Sequence, residues 1–203
     1  MIAIADSGGG NIRSLENALK RIGEKFFFAK SPSELERASK IILPGVGSAE
    51  AGMNALNRSE IGPYLKQCEK PVLGICLGMQ LLYEWSEEGD TECLSLLKGK
   101  VRKIVAPSLT LPHMGWNKLK RYTPEDTISD ENVSGEQFSE FEGKSVYFVH
   151  DYRADMTEDV CLYVDHGEKI PALVKSGNVW GMQFHPEKSA EMGLVLLKEF
   201  TRR

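Results

Sequence analysis

Four short apolar runs punctuate the first 75 residues: IAIA (2–5), FFFA (26–29), KIIL (40–43) and VLGI (72–75). Each is too short for a helix and reads as a buried strand. The stretches between them carry a longer period. Ile12, Leu15, Leu19 and Ile22 fall on one helical face, and Asn11 is placed to cap it. SPSELERA (31–38) opens with a Ser-Pro pair suited to a helix start. Further helices are expected over 48–57 and, directly after the fourth run, over LGMQLLYEW (77–85). Pro44 is expected to stop the third strand. Strands this uniformly apolar are buried on both faces, so their alternation with helices predicts a parallel sheet covered on both sides.

After residue 99 the pattern changes. KVRKIV, LKRY, SVYFVH, VCLYV, ALVK and VWGMQF are strand-like runs separated by turns, several of them expected to pair antiparallel. The polar, acidic stretch 123–144 reads as a surface insertion, a helix or a mobile loop. AEMGLVLLKEF (190–200) reads as a closing helix. With no internal repeat and no linker, residues 1–203 are expected to form a single domain. The fold class is α/β: a three-layer, open, mostly parallel sheet flanked by helices, with antiparallel strands in the second half.

Composition narrows the function. Apolar residues make up 41% of the 203 and charged residues 27%, as in ordinary globular proteins. The 25 Lys and Arg against 29 Asp and Glu leave a net charge of −4, a poor match for nucleic acid or an anionic membrane surface. No run of about 18 apolar residues is present to span a bilayer, and MIAIADSGGG lacks the basic start and long apolar core of a signal peptide. Cys68, Cys76, Cys93 and Cys161 form no CxxC pair, which argues against a zinc ribbon or a redox motif. Reduced thiols in a cytoplasm are the expectation.

GICLGMQ (74–80) carries the most chemical information. A buried strand runs into Cys76, a helix begins at once, and Gly74 and Gly78 flank the cysteine at minus two and plus two. This is the nucleophile-elbow pattern written with cysteine. A sharp strand-to-helix turn strains the nucleophile's backbone, glycines remove side chains that would clash, and the sulfur sits where a helix N-terminus favours thiolate. The Leu77 N–H points the same way and is a candidate oxyanion donor. The plainer alternative is a buried structural cysteine. A cysteine nucleophile needs a base, and the base an orienting group. FHPE (184–187) offers both: His185 and Glu187 project to one side if the strand geometry of VWGMQF continues. LPGVG (43–47) follows the third strand, at the end of a parallel sheet where ligands bind. Gly45 and Gly47 let backbone amides face an anion, and the N–H of Val46 or Gly47 is the candidate second oxyanion donor. Alone, LPGVG reads as a plain strand-to-helix turn.

Together these segments resemble the class I, triad-type glutamine amidotransferases. PGVG, GICLGMQLL, PHMGWN (112–117), YFVHDY (147–152) and QFHPEKS (183–189), with the opening DSGGGNIRS (6–14), are similar in order and spacing to the family of glutaminase subunits of imidazole glycerol phosphate synthase. The resemblance runs from residue 2 to about 200. It implies hydrolysis of L-glutamine to glutamate and ammonia. The ammonia then passes to a (β/α)8-barrel cyclase subunit that makes imidazole glycerol phosphate and AICAR for histidine biosynthesis, with no cofactor and no metal. It implies Cys76 as nucleophile, His185 as proton carrier and Glu187 as its orienting partner. Gln80 matches a position contacting glutamine, against the plainer reading of a helix-surface Gln. Asn11, Trp116, Asn117, Tyr147 and Lys188 match positions at or near the cyclase interface; for Trp116 by itself the plainer expectation is burial in the core.

Ser7, Gly9 and Asp151 depart from the family pattern. Asp151 stands where Ser or Thr is usual, close to the glutamine site or the partner face. Paralogous pairs serving sugar amidination in polysaccharide pathways, and a non-catalytic glutaminase-like binding module, are the alternatives. SGGGN (7–11) lacks the G-K-[ST] ending of a phosphate loop. His113, His150 and His166 share no metal-ligand spacing and are expected to be ordinary hydrogen-bonded histidines.

Overall fold

A computed structural model describes residues 1–5, 12–123 and 136–202. Asn11, Ser7 and Gly9 lie outside them. The parallel half of the main sheet comes from the runs that the pattern singled out: β1 (Ile2–Ala5), then α1 (Ile12–Arg21), β2 (Phe26–Ala29), α2 (Pro32–Leu35), β3 (Lys40–Gly45), α3 (Ala49–Arg58), α4 (Ile61–Gln67) and β4 (Val72–Cys76). A single helical turn, α5 (Leu77–Gln80), follows, then β5 (Trp85–Ser86), β6 (Thr91–Glu92) and β7 (Lys100–Lys103). The remainder is β8 (His113–Lys118), β9 (Lys120–Arg121), β10 (Ser145–His150), β11 (Tyr152–Ala154), β12 (Val160–Asp165), β13 (Lys169–Ser176), β14 (Val179–Met182) and α6 (Ala190–Arg202).

The main sheet has the order β2-β1-β3-β4-β14-β13-β12-β9. It is parallel from β2 through β14 and antiparallel from there to β9. Strand alternation sends successive side chains into two cores. Ile2, Ile4, Ile42, Leu73 and Ile75 pack with Leu15, Leu19, Leu196 and Phe200 of α1 and α6 on one face. Ala3, Ala5, Ile41, Leu43 and Val72 pack with Met53, Leu56, Ile61 and Leu65 of α3 and α4 on the other. This is the three-layer arrangement that the uniformly apolar runs imply. Ser48 caps α3 by accepting the Ala51 N–H. Among the described residues no helix is long and apolar enough to cross a membrane.

Three expectations need correction, and one strand went unmarked. Pro44 does not end β3, which continues to Gly45 opposite Cys76. Beyond Ile42 the strand is paired only with β4, so a residue without an N–H fits there. The helix expected over 77–85 is one turn. The carbonyls of Leu81, Leu82 and Tyr83 accept from Leu94, Leu96, Leu97 and Ser95, so the chain leaves the helix and builds the small sheet β11-β7-β5-β6. The segment 123–144 is not wholly a surface insertion. Residues 124–135 lie outside the described residues, but 136–141 form a 3-10 turn whose Phe138 and Phe141 are buried, Phe138 against Trp180 at 5.4 Å. Finally, PHMGWN contains a strand: β8 pairs antiparallel with β10 as a separate two-stranded sheet. Its alternation is inverted, with Met114 and Trp116 on the exposed side, so it does not read as a core strand.

The elbow rests on three glycines. A Cβ on Gly78 would stand 1.9 Å from the Leu43 carbonyl oxygen, one on Gly74 2.6 Å from the backbone of Gly78 and Met79, and one on Gly45 2.5 Å from the Gly78 nitrogen. Side chains are absent because α5 lies directly on β3 and β4. Gly78→Ala is expected to lower stability by about 1–3 kcal/mol or more, since backbone and not a flexible side chain must move. An unchanged urea midpoint would contradict this close approach.

Candidate active site

Parallel pairing of β4 with β14 explains how residues more than a hundred positions apart meet. Ile75 is level with Met182, so Cys76 and the segment Gln183–Glu187 leave the sheet at the same end. Cys76 takes φ 55 and ψ −114, a region that ordinary residues avoid and that costs roughly 1–3 kcal/mol. Its sulfur is largely buried, 3.8 Å from the Val149 carbonyl and 3.9 Å from Gln183 Nε2.

His185 is held from both backbone sides. Its N–H donates to the Tyr147 carbonyl at 2.9 Å, and its own carbonyl accepts from Ser189 Oγ at 2.7 Å and the Lys188 N–H at 3.0 Å. Nδ1 sits 2.8 Å from Glu187 Oε1, both side chains only 7% exposed. A carboxylate accepts, so Nδ1 carries the hydrogen and Nε2 is left for the sulfur. Burial works against a charged ring here, but the hydrogen bonds and charges of Cys76 and Glu187 outweigh it and raise His185 to about 9. The three side chains form one electrostatic unit.

A cleft of about 260 Å³ opens at the sulfur, just below the roughly 300–1,000 Å³ typical of ligand pockets. Val46 and Gly47, Leu77 and Gln80 next to Cys76, and Val149 to Tyr152 line it. Gly47 has φ +93, as a tight turn there requires. Gly45 borders the smaller adjoining cavity, with Pro44, Glu187 and Lys188, and not this cleft. Gln80 is buried rather than on a helix surface: Nε2 donates to the Tyr152 carbonyl at 2.9 Å and to Gln183 Oε1 at 3.0 Å.

Sequence reasoning missed Glu88 and Gln183. Glu88 reaches the cleft while its Oε2 accepts the Ala49 N–H at 2.7 Å. No signal in the sequence marked it, because it lies just past the supposed helix. Gln183 adjoins FHPE and was visible only as part of QFHPEKS. Asp151 is exposed on the cleft wall, so the lining carries two carboxylates and, among the described residues, no Lys or Arg.

The three histidines are hydrogen-bonded, as expected, and are drawn together. His113 and His150 face each other across β8 and β10, Nδ1 to Nε2 at 3.0 Å, and His166 stacks on His113 at 4.1 Å. Burial, with neighbouring imidazoles repelling charge, lowers His113 to about 3; burial also lowers His150 to about 4, against a bond to the Tyr152 carbonyl. Among the described residues no group of three or more His, Cys, Asp or Glu is placed to hold a metal ion.

Of the interface candidates, Trp116 is 56% exposed, contrary to the burial expected of a lone Trp, and meets Tyr147 edge-on at 6.0 Å. Asn117 turns its amide inward to the Asp165 carbonyl at 2.9 Å, and Lys188 is exposed in the turn after His185.

The pattern of the family described as "Glutamine amidotransferase class-I" matches residues 3–202. The chain belongs to this family. It is 42% identical to the imidazole glycerol phosphate synthase subunit HisH of Xylella fastidiosa (strain 9a5c), over 98% of this chain and 96% of that one. It is 45% identical to the subunit of the same name from Bacillus cereus (strain B4264), over 98% and 93%. Solved structures share the fold at lower identity. One described as a glutamine amidotransferase gives a TM-score of 0.74 at 18% identity, covering 99% of this chain and 97% of that one. PurLQS from Thermotoga maritima gives 0.71 at 22%, with the same coverage.

Proposed function

We propose that this chain is the glutaminase subunit of an imidazole glycerol phosphate synthase, acting as a single amidotransferase domain in the cytoplasm. It hydrolyses L-glutamine to L-glutamate and ammonia and hands the ammonia to a (β/α)8-barrel cyclase. The observation that carries this reading is the strained Cys76 in a small cleft that His185, paired with Glu187 behind it, also lines.

The Cys76 sulfur, its proton passed to His185, attacks the side-chain carboxamide carbon, forming an S–C bond while the carbonyl oxygen takes up negative charge. The Leu77 N–H and an N–H of Val46 or Gly47 hold that oxygen. His185 gives its proton to the departing nitrogen, which leaves as ammonia, and a thioester remains. His185 then takes a proton from water, hydroxide attacks the thioester, and glutamate departs as the thiol is restored. Glu187 keeps the ring oriented and supports its charged form. Glu88 suits the substrate's α-ammonium. With no Lys or Arg in the lining among the described residues, the α-carboxylate falls to backbone amides.

The test is ammonia release from glutamine by the chain alone and with its barrel cyclase and that subunit's ligand. Low activity alone and strong stimulation in the complex are expected. Hydrolysis of peptides with none of glutamine would overturn the reading.

A further inference from the structure

A continuous line of hydrogen bonds leads from the exposed two-stranded sheet to the nucleophile, and its direction is fixed by the chemistry of its ends. The Asp165 carbonyl only accepts, so Asn117 Nδ2 is a donor there, and its second hydrogen faces His113 Nε2 at 3.3 Å. At the other end the Tyr152 carbonyl only accepts, so His150 Nδ1, at 2.7 Å, carries a hydrogen. A neutral His150 therefore accepts at Nε2, and His113 must donate to it from Nδ1. His113 is left with an accepting Nε2, which is what Asn117 requires. Every donor meets an acceptor with both rings neutral, and both are more than nine-tenths buried. The Tyr152 carbonyl also accepts from Gln80, Gln80 donates to Gln183, and the Gln183 amide faces the Cys76 sulfur.

The outer end of this line belongs to the strand that presents Met114 and Trp116 to solvent. The same sheet touches the catalytic pair independently, because the Tyr147 carbonyl holds the His185 N–H. We propose that His113 and His150 are positioning residues: a one-directional relay from the partner-facing strand β8 to the Tyr152 carbonyl, which Gln80 holds from the other side, so that cyclase docking on β8 is transmitted to the wall of the glutamine cleft. This rests on the glutaminase reading above.

The relay makes a spectroscopic prediction that needs no variant. In ¹⁵N-labelled chain at neutral pH, both rings are expected as the Nδ1–H tautomer, with Nε2 unprotonated. An Nε2–H tautomer at either ring overturns the relay. Its function is read in the complex. His113→Phe keeps the ring that stacks on Phe148 and His166 but neither donates nor accepts. It is expected to reduce the cyclase-dependent stimulation of glutaminase turnover about tenfold, within the usual range of coupling between sites. His113→Asn, whose amide can replace the Nδ1 donor, is expected to retain most of it. Stimulation unchanged in His113→Phe, or lost equally in both variants, overturns the proposal. Failure of the glutaminase reading is distinguishable: the wild-type complex itself would then release no ammonia from glutamine.

Discussion

Cys76→Ala is expected to abolish glutamine hydrolysis while leaving the fold and any ammonia-driven reaction of the cyclase in place. The sulfur is the atom of the cleft that can form the covalent bond, and no neighbouring side chain substitutes for it: Val149 offers a carbonyl and Gln183 an amide. Loss of a nucleophile acting as a unit with its base lowers turnover by about 10³-fold or more. Stability should change little, because alanine meets the same positive-φ strain as cysteine and vacates only one sulfur's volume. The paired measurement is ammonia release from glutamine beside cyclase turnover supplied with ammonium salt. Retained glutaminase turnover would remove Cys76 from its assigned role.

His185→Asn should be nearly as severe, for a different reason. The ring serves twice, protonating the departing nitrogen and then activating water, so turnover is expected to fall by about 10³-fold or more. The variant should also slow alkylation of Cys76 by iodoacetamide toward the rate of the half-buried Cys68. Cys93 and Cys161 serve as inert controls, their thiols pushed up to about 11 and 12 by burial. A stability signature accompanies this. His185 has a folded value near 9, above the ordinary 6.5, so it binds its proton more tightly folded than unfolded. That stabilisation is complete below pH 6.5 and is lost as pH rises through 9. The difference in unfolding midpoint between wild type and His185→Asn should therefore shrink from pH 6.5 to 9. A constant gap across that window would contradict the charged pairing.

The parallel half of the fold was legible because β1 and β4 are buried on both faces and β2 and β3 still carry apolar runs too short for helices. The sharp bend at Cys76 was legible in Gly74 and Gly78, whose missing side chains let α5 lie on β3 and β4. What escaped the sequence was set by tertiary contacts. Helical spacing in LLYEW continues past Gln80, but amides from residues 94–97 take the carbonyls that the next turn would have used. β8 hid because its large apolar residues point outward. Glu88 and the pairing of His113 with His150 depend on which strands become neighbours, and local spacing carries no record of that.

The most direct measurement is peptide mapping by mass spectrometry after treating the chain, in complex with its cyclase, with a diazoketone analogue of glutamine. One covalent adduct on the peptide bearing Cys76, suppressed by excess glutamine and absent in His185→Asn, is the expected result. Label spread evenly over Cys68 and Cys76, or indifferent to glutamine, would contradict a glutaminase built on the Cys76–His185–Glu187 unit.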